Sequence, residues 1–196
     1  MTLDKKKIGF VITGSFCTFE TALECLEETV DNGANVTAIL SYAADNMDTR
    51  FMSADGLKEA LVNITGNPII RTIVEAEPIG PKKLFDLLVV LPATGNTIAK
   101  LANGITDTPA TMAIKAHLRN NRPVLFGIST NDALGNNAKN IGMLLNSKNI
   151  YFIPFGPDDP IKKPNSIVFH KNFVIPAMEE ALENKQFQPM VSVVGL

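Results

Sequence analysis

The chain has 196 residues, 45% of them hydrophobic, with 18 Lys and Arg against 20 Asp and Glu and a formal charge of −2. That much apolar material excludes a disordered chain, and the weakly negative balance, with no Lys/Arg block, argues against nucleic acid as a partner. No apolar run reaches the roughly 20 residues that span a bilayer, and the polar start from Met1 to Lys7 leads into no stretch of signal-peptide length, so a cytoplasmic protein without a membrane partner is expected. Two cysteines, Cys17 and Cys25, with His117 and His170 far away in sequence, form neither a zinc spacing nor a disulfide framework, and no metal is expected.

In chain order, apolar runs alternate with amphipathic stretches. Ile8 to Thr13 reads as a strand and Phe19 to Asp31 as a helix. That helix places Ala22, Leu23, Leu26 and Val30 on one face and Glu20, Glu24, Glu27 and Glu28 mostly on the other, with Gly33 positioned to end it. A strand from Val36 to Ser41, a helix from Ala54 to Ile64 and a short strand within Ile69 to Val74 follow. Next come the strand Leu87 to Leu91, halted by Pro92, a helix from Asn96 to Ala102 and another from Pro109 to Arg119. The strand Val124 to Ile128, a helix from Ala138 to Ser147 and the strand Ile150 to Pro154 complete the rhythm. Pro157, Pro160 and Pro164 mark 155–175 as irregular, and a final helix with Pro176 in its first turn covers 176–186. There is no internal repeat. The expected fold is α/β, a three-layer Rossmann-like (flavodoxin-like) open parallel sheet with helices on both faces, in one domain over 1–196.

Leu87 to Ile105 is the most informative stretch. Five consecutive apolar residues suit a strand covered on both faces. Thr94, Gly95, Asn96 and Thr97 then put hydroxyls, a carboxamide and backbone amides at a helix N-terminus, where the dipole favours an anion such as phosphate. Taken alone, the turn reads equally well as a cap supplied by Thr94 or Asn96. Three other strand ends carry the same small polar chemistry: Thr13-Gly14-Ser15-Phe16-Cys17-Thr18, Ser41, and Ser129-Thr130-Asn131-Asp132. Gly14 either opens amides to a phosphate or relieves a tight turn, and Ser41 either reaches the same anion or caps a helix. Open parallel sheets bind ligands at the carboxyl ends of their strands, so four such turns together point to a phosphorylated cofactor.

At these residues the chain resembles known proteins. Pro92-Ala93-Thr94-Gly95-Asn96-Thr97, followed by Ala99-Lys100-Leu101-Ala102-Asn103-Gly104-Ile105-Thr106-Asp107, resembles the hallmark motif shared by flavin-containing cysteine decarboxylases and flavin prenyltransferases. A closer resemblance, to the family of dipicolinate synthase B subunits, covers nearly the whole chain. It runs through Thr13-Gly14-Ser15, Cys17-Thr18, Thr49-Arg50-Phe51, Glu77-Pro78, Gly80-Pro81-Lys82, Arg119-Asn120, Arg122-Pro123, Gly127 through Gly135 and Ile153 through Ser166. The resemblance implies oxidation of dihydrodipicolinate to dipicolinate, pyridine-2,6-dicarboxylate, in bacterial sporulation. It also implies FMN as cofactor, an A subunit that binds NADP, and a homo-oligomer of three or more chains. Within the wider fold, the flavin-contacting positions fall on Gly14, Ser15, Ser41, Thr94, Asn96 and Thr97, and the neighbouring Cys17, Thr18, Gly95 and Ser129 complete the expected cofactor set.

Two departures from the decarboxylase pattern bear on chemistry. Where those enzymes carry a histidine before an isoleucine, ahead of the aspartate opening the central strand, Asp86 and Ile79 fit but Pro78 stands in the histidine position. Proline has no titratable group. Of their substrate loop only Asn131 survives, with Leu134-Gly135 replacing methionine-tryptophan. An FMN-dependent decarboxylase- or prenyltransferase-like protein is therefore the alternative, beside a noncatalytic assembly subunit. His117 and His170 read as packing or surface residues.

A dicarboxylate can accept hydrogen bonds from Ser129, Thr130 and Asn131, whereas Asp132 repels it unless protonated or turned away. It also calls for cations, for which Arg50, Lys82, Arg119, Arg122, Lys162 and Lys163 are candidates, with a solvated face as the default for each. Arg50, after the second strand, carries most weight, so the expected substrate set is Arg50, Thr130 and Asn131. The implied chemistry, hydride removal from a dihydropyridine, asks the protein mainly to orient substrate against an oxidised cofactor. No residue is assigned a catalytic role.

Overall fold

Leu87–Ala93 has every residue buried, as a strand needs when helices cover both faces of its sheet. The computed structural model describes residues 3–192, so the two ends of the expected 1–196 domain lie outside it. The strand is β3 of a seven-stranded sheet. Before it come β1 (Lys7–Ile12), α1 (Phe19–Asp31), β2 (Asn35–Leu40), α2 (Tyr42–Asn46), α3 (Ala54–Thr65) and α4 (Ile73–Ala76). After it come α5 (Gly95–Ala102), α6 (Pro109–Leu118), β4 (Val124–Thr130), α7 (Ala138–Leu145), β5 (Ile150–Phe152), β6 (Phe155–Asp159), β7 (Lys163–Phe169) and α8 (Val174–Leu182).

Strands β2-β1-β3-β4-β5 run parallel in that spatial order. Successive residues of β1 and β3 feed two cores. Ile8, Phe10, Ile12, Leu87, Val89 and Leu91 pack with Leu26, Leu57, Leu61 and Met178 of α1, α3 and α8. Val11, Leu88, Val90 and Ala93 pack with Ile98, Ala113, Ile114 and Ile141 of α5, α6 and α7. This is the three-layer architecture expected from the sequence. Gly33, at φ +90°, follows the C-cap of α1 as expected. Among the described residues no helix is long and apolar enough to cross a membrane.

Four segments differ from expectation. Pro92 does not end its strand: β3 continues to Ala93, with a register shift between Val90 and Ala93 that accommodates the missing amide. Ile69 to Val74 is not a strand. Only Ile70 bridges to Ile39, and Thr72 then starts α4 with a capping box closed by Glu75.

Residues 155–169 form an antiparallel hairpin, β6–β7, rather than an irregular stretch. Pro157 lies on the edge strand β6 and Pro160 in the turn, positions that do not need an amide donor in the ladder. Because β5 is three residues long and pairs only with Val124 to Phe126, the upper edge of β4 is left to β7, which pairs with Ser129 and Thr130. The hairpin therefore stands at the carboxyl end of the sheet. The last helix spans Val174–Leu182, earlier than 176–186, with Pro176 in its first turn.

His117 of α6 is fully buried, and among the described residues neither ring nitrogen has a partner at good hydrogen-bond geometry. Burial, reinforced by the positive charge of Arg122, lowers its pKa from 6.5 to about 4, against weaker opposing pulls from the Pro123 carbonyl and Asp86. The unfolded chain takes up a proton near 6.5 that the folded chain refuses until about 4. Stability therefore falls as pH drops through that window. His117→Leu should flatten this part of the melting-temperature profile between pH 6.5 and about 4; an unchanged pH dependence would show that His117 is not the group responsible.

Candidate functional site

The carboxyl ends of β1 and β3 meet at one buried hydroxyl. Thr13 Oγ1 donates to the Pro92 carbonyl at 2.6 Å and accepts the Thr94 amide at 2.9 Å, tying the turn after β1 to the turn after β3. A second set of hydroxyls joins the first turn to β4. Ser15 Oγ donates to the Ser129 carbonyl at 2.9 Å and lies 2.9 Å from Ser129 Oγ, while Thr18 Oγ1 donates to the Ser15 carbonyl at 2.7 Å and lies 3.3 Å from Ser129 Oγ.

Between these turns opens a cleft of about 880 Å³. Gly14, Ser15, Cys17, Thr18, Thr94, Gly95, Asn96, Ser129, Thr130, Asn131 and Arg50 all line it, which gathers eleven of the thirteen residues expected from the sequence. Ser41 and Thr97 do not. They line an adjoining recess of about 390 Å³ that shares Gly14, Phe16, Thr94 and Asn96 with the cleft. Ser41 also caps α2, accepting the Ala44 amide at 3.3 Å.

Thr94 is the cap of α5, accepting the Thr97 amide at 3.2 Å; Asn96 is not. The amides of Gly95 and Asn96 have no acceptor within the protein among the described residues. The turn thus caps the helix and still leaves first-turn amide donors open, since capping consumes only one of them.

Gly95 has a packing reason. A Cβ there would fall 2.5 Å from Asn137 Nδ2, 2.7 Å from Thr130 Oγ1 and 2.8 Å from Asp132 Oδ1. Those three groups form one network: Thr130 donates to Asp132 Oδ1 at 2.6 Å and Asn137 to Oδ2 at 2.7 Å. Buried Asn140 donates to Asn137 at 2.9 Å. Asp132 thereby has both carboxylate oxygens engaged on its own loop while still lining the cleft.

Arg50 lies on a turn held by Thr49, whose hydroxyl accepts the amides of Phe51 and Met52 at 3.2 and 3.1 Å; its guanidinium sits 4.8 Å from the Phe51 ring centroid. Sequence reasoning did not find Phe16, Phe51, Asn137, Asp158, Ser166, Ile167 or Val168, all of which line the cleft. Asn137 belongs to the network and the last four to the hairpin, for which no local polar-turn signal existed. Lys163 lines the cleft too, whereas Lys82, Arg119, Arg122 and Lys162 do not. Arg122 is at the other end of the sheet, donating to the Phe85 carbonyl and 3.6 Å from Asp86, which in turn accepts the Lys7 amide at the start of β1.

Cys17 is exposed in the cleft. Cys25 is buried in α1, its thiol pushed up to about 12 by burial and then by Glu28 and Glu24, and so is inert as a nucleophile. Neither Pro78 nor either histidine lines the cleft.

A parallel sheet with an open crevice beside β1, lined by amides and small polar side chains, defines the class of open α/β proteins that take ligands at the carboxyl ends of their strands. The Flavoprotein family model matches residues 1–180. Over 190 residues the chain is 47% identical to the B subunit of dipicolinate synthase from Bacillus subtilis (strain 168), covering 97% of this chain and 95% of that protein. The crystal structure of the dipicolinate synthase B subunit from Bacillus halodurans C matches with a TM-score of 0.90 at 44% identity, over 98% of this chain and 99% of that one. The FMN-dependent cysteine decarboxylase SpaF shares the fold, with a TM-score of 0.63 at 18% identity over 91% of this chain and 99% of that one. The chain therefore belongs to the Flavoprotein family and, within it, to the family of dipicolinate synthase B subunits.

Gly95→Ala should cost about 1–3 kcal/mol of stability through overpacking. Thr13→Val should lose a similar amount by leaving the Thr94 amide without its acceptor, about 1–3 kcal/mol. Urea denaturation reads both, and wild-type midpoints would contradict the assigned roles of the glycine and the hydroxyl.

Proposed function

We propose that this chain acts as the B subunit of a dipicolinate synthase, contributing with an NADP-binding A subunit to the oxidation of dihydrodipicolinate to dipicolinate. The observation that carries the reading is the single cleft in which the polar turns of three strand ends converge beside Arg50. Its supports are the kinship with dipicolinate synthase B subunits and the chemistry of the donors.

The residues present fit a flavin mononucleotide. The cleft, at about 880 Å³, has room for a cofactor-sized ligand, and the unpaired amides of Gly95 and Asn96 offer donors to an anionic group or to ring oxygens and nitrogens. The adjoining recess supplies Ser41 and Thr97. Gly14, whose Cβ would approach Ala43 Cβ to 3.1 Å, lets the first turn close against α2. When bound, FMN would supply two-electron redox chemistry.

The chain's own part is positioning. Dehydrogenation to a pyridine removes a hydride and a proton, and aromaticity supplies the driving force. Arg50 offers a cation to a substrate carboxylate, and Asn131 and Asn96, both exposed into the cleft, offer carboxamide donors. The cleft is open to water at Cys17, Arg50 and Asn131, so the proton needs no buried relay. That suits a site lined by no histidine, and it leaves a decarboxylase-like reading without its acid–base group.

Mixing the purified chain with an A subunit, NADP and dihydrodipicolinate should give dipicolinate, read by its ultraviolet absorbance, at a rate neither subunit reaches alone. Arg50→Gln should raise KM about tenfold with kcat little changed, the pattern of a lost ground-state contact. Full activity of the A subunit alone would contradict the proposal.

A further inference from the structure

Of the six cations that the sequence offers to a dianion, two line the cleft: Arg50 and Lys163. The carboxylates lining it are Asp132 and Asp158. Asp132 has both oxygens engaged by Thr130 and Asn137. Asp158 Oδ2 takes Lys163 Nζ at 2.7 Å and the Ser166 hydroxyl at 3.3 Å. A ligand entering the cleft thus meets one cation with no carboxylate partner among the described residues, Arg50, and a second held by a replaceable one.

The Lys163–Asp158 pair is open to solvent, its side chains 58% and 35% exposed, and ion pairs of this kind stabilise little. An incoming carboxylate therefore competes with Asp158 on nearly even terms, and Asp158 keeps the Ser166 hydroxyl when the lysine leaves. The backbone that carries Lys163 is anchored. It opens β7 opposite Asp159, and the same strand's Asn165 carbonyl accepts the Leu134 amide at 3.1 Å, fastening the hairpin to the Thr130–Asn137 loop. Lys163 thus has a fixed root beside the cleft and a solvent-exposed charged end.

We propose that Lys163 is the second carboxylate anchor of the cleft, leaving Asp158 to bind one carboxylate of a planar aromatic or dihydroaromatic dicarboxylate while Arg50 holds the other. Asp158 then acts as a selectivity gate: a monocarboxylate satisfied by Arg50 leaves the Lys163–Asp158 pair closed. The inference rests on the proposed function only for the identity of the ligand.

Calorimetric titration of the full chain with pyridine-2,6-dicarboxylate and with pyridine-2-carboxylate tests it. Wild type should prefer the dicarboxylate. Lys163→Gln should weaken dicarboxylate binding about tenfold, as loss of one charge-assisted contact does, and leave the monocarboxylate within about twofold, while Lys163→Arg restores the preference. Asp158→Asn, which frees the lysine, should tighten dicarboxylate binding, a gain that a merely structural lysine would not produce. Equal dicarboxylate affinity in wild type and Lys163→Gln, equal weakening of both ligands, or no dicarboxylate binding by wild type would each overturn the inference. Dipicolinate formation with the A subunit, assayed separately, reports on the proposed function itself, so the two can fail independently.

Discussion

The buried hydroxyl of Thr13 is the constraint on which the site depends. In a sheet ordered β2-β1-β3-β4-β5, the connections from β1 and β3 leave on opposite sides, and a crevice opens between their carboxyl ends. A crevice is useful only if its walls keep a fixed separation. Thr13 Oγ1 holds that separation by bonding at once to the Pro92 carbonyl and the Thr94 amide. Because the group is fully buried, water cannot substitute for it, and each of its bonds is worth more than an exposed one.

Around that point the cleft divides its polar groups into two kinds. The hydroxyls of Ser15, Thr18 and Ser129 bond to one another or to backbone, and Thr130, Asp132, Asn137 and Asn140 form a chain behind α5. These groups make the wall rigid. Among the described residues, the cleft-lining groups without a protein partner include the amides of Gly95 and Asn96, the carboxamides of Asn96 and Asn131, and the Arg50 guanidinium. Rigid walls with a few unsatisfied donors are what preorganised binding requires. The glycine at position 95 follows from the same division, since a methyl group there would collide with the chain of bonds behind it.

The parallel sheet and its helices were legible because their signals are local: apolar runs at Ile8, Val36, Leu87 and Val124, one-faced helices, and Gly33 at a helix end. The strand-end turns were legible because several of them follow buried strands, although each taken singly reads equally well as a cap or a tight turn, the use Ser41 and Thr94 also serve. What escaped was nonlocal. Proline-rich spacing concealed the β6–β7 hairpin, whose pairing is set by the short β5 and the vacant upper edge of β4. Asp132 is a different case: its partners Thr130 and Asn137 lie only two and five residues away, but the loop conformation that brings them onto its carboxylate has no sequence signature. Lys163 and Arg122 are alike in sequence as candidate cations, and only the sheet places one at the cleft and the other at the opposite end.

Titration of the purified chain with FMN, followed by quenching of flavin fluorescence, tests the central claim that the joined strand ends form one cofactor site. The account predicts saturable binding at one FMN per chain, lost or strongly weakened in Thr13→Val under conditions where that variant remains folded. Absence of binding by the folded wild-type chain at a large excess of FMN would contradict it.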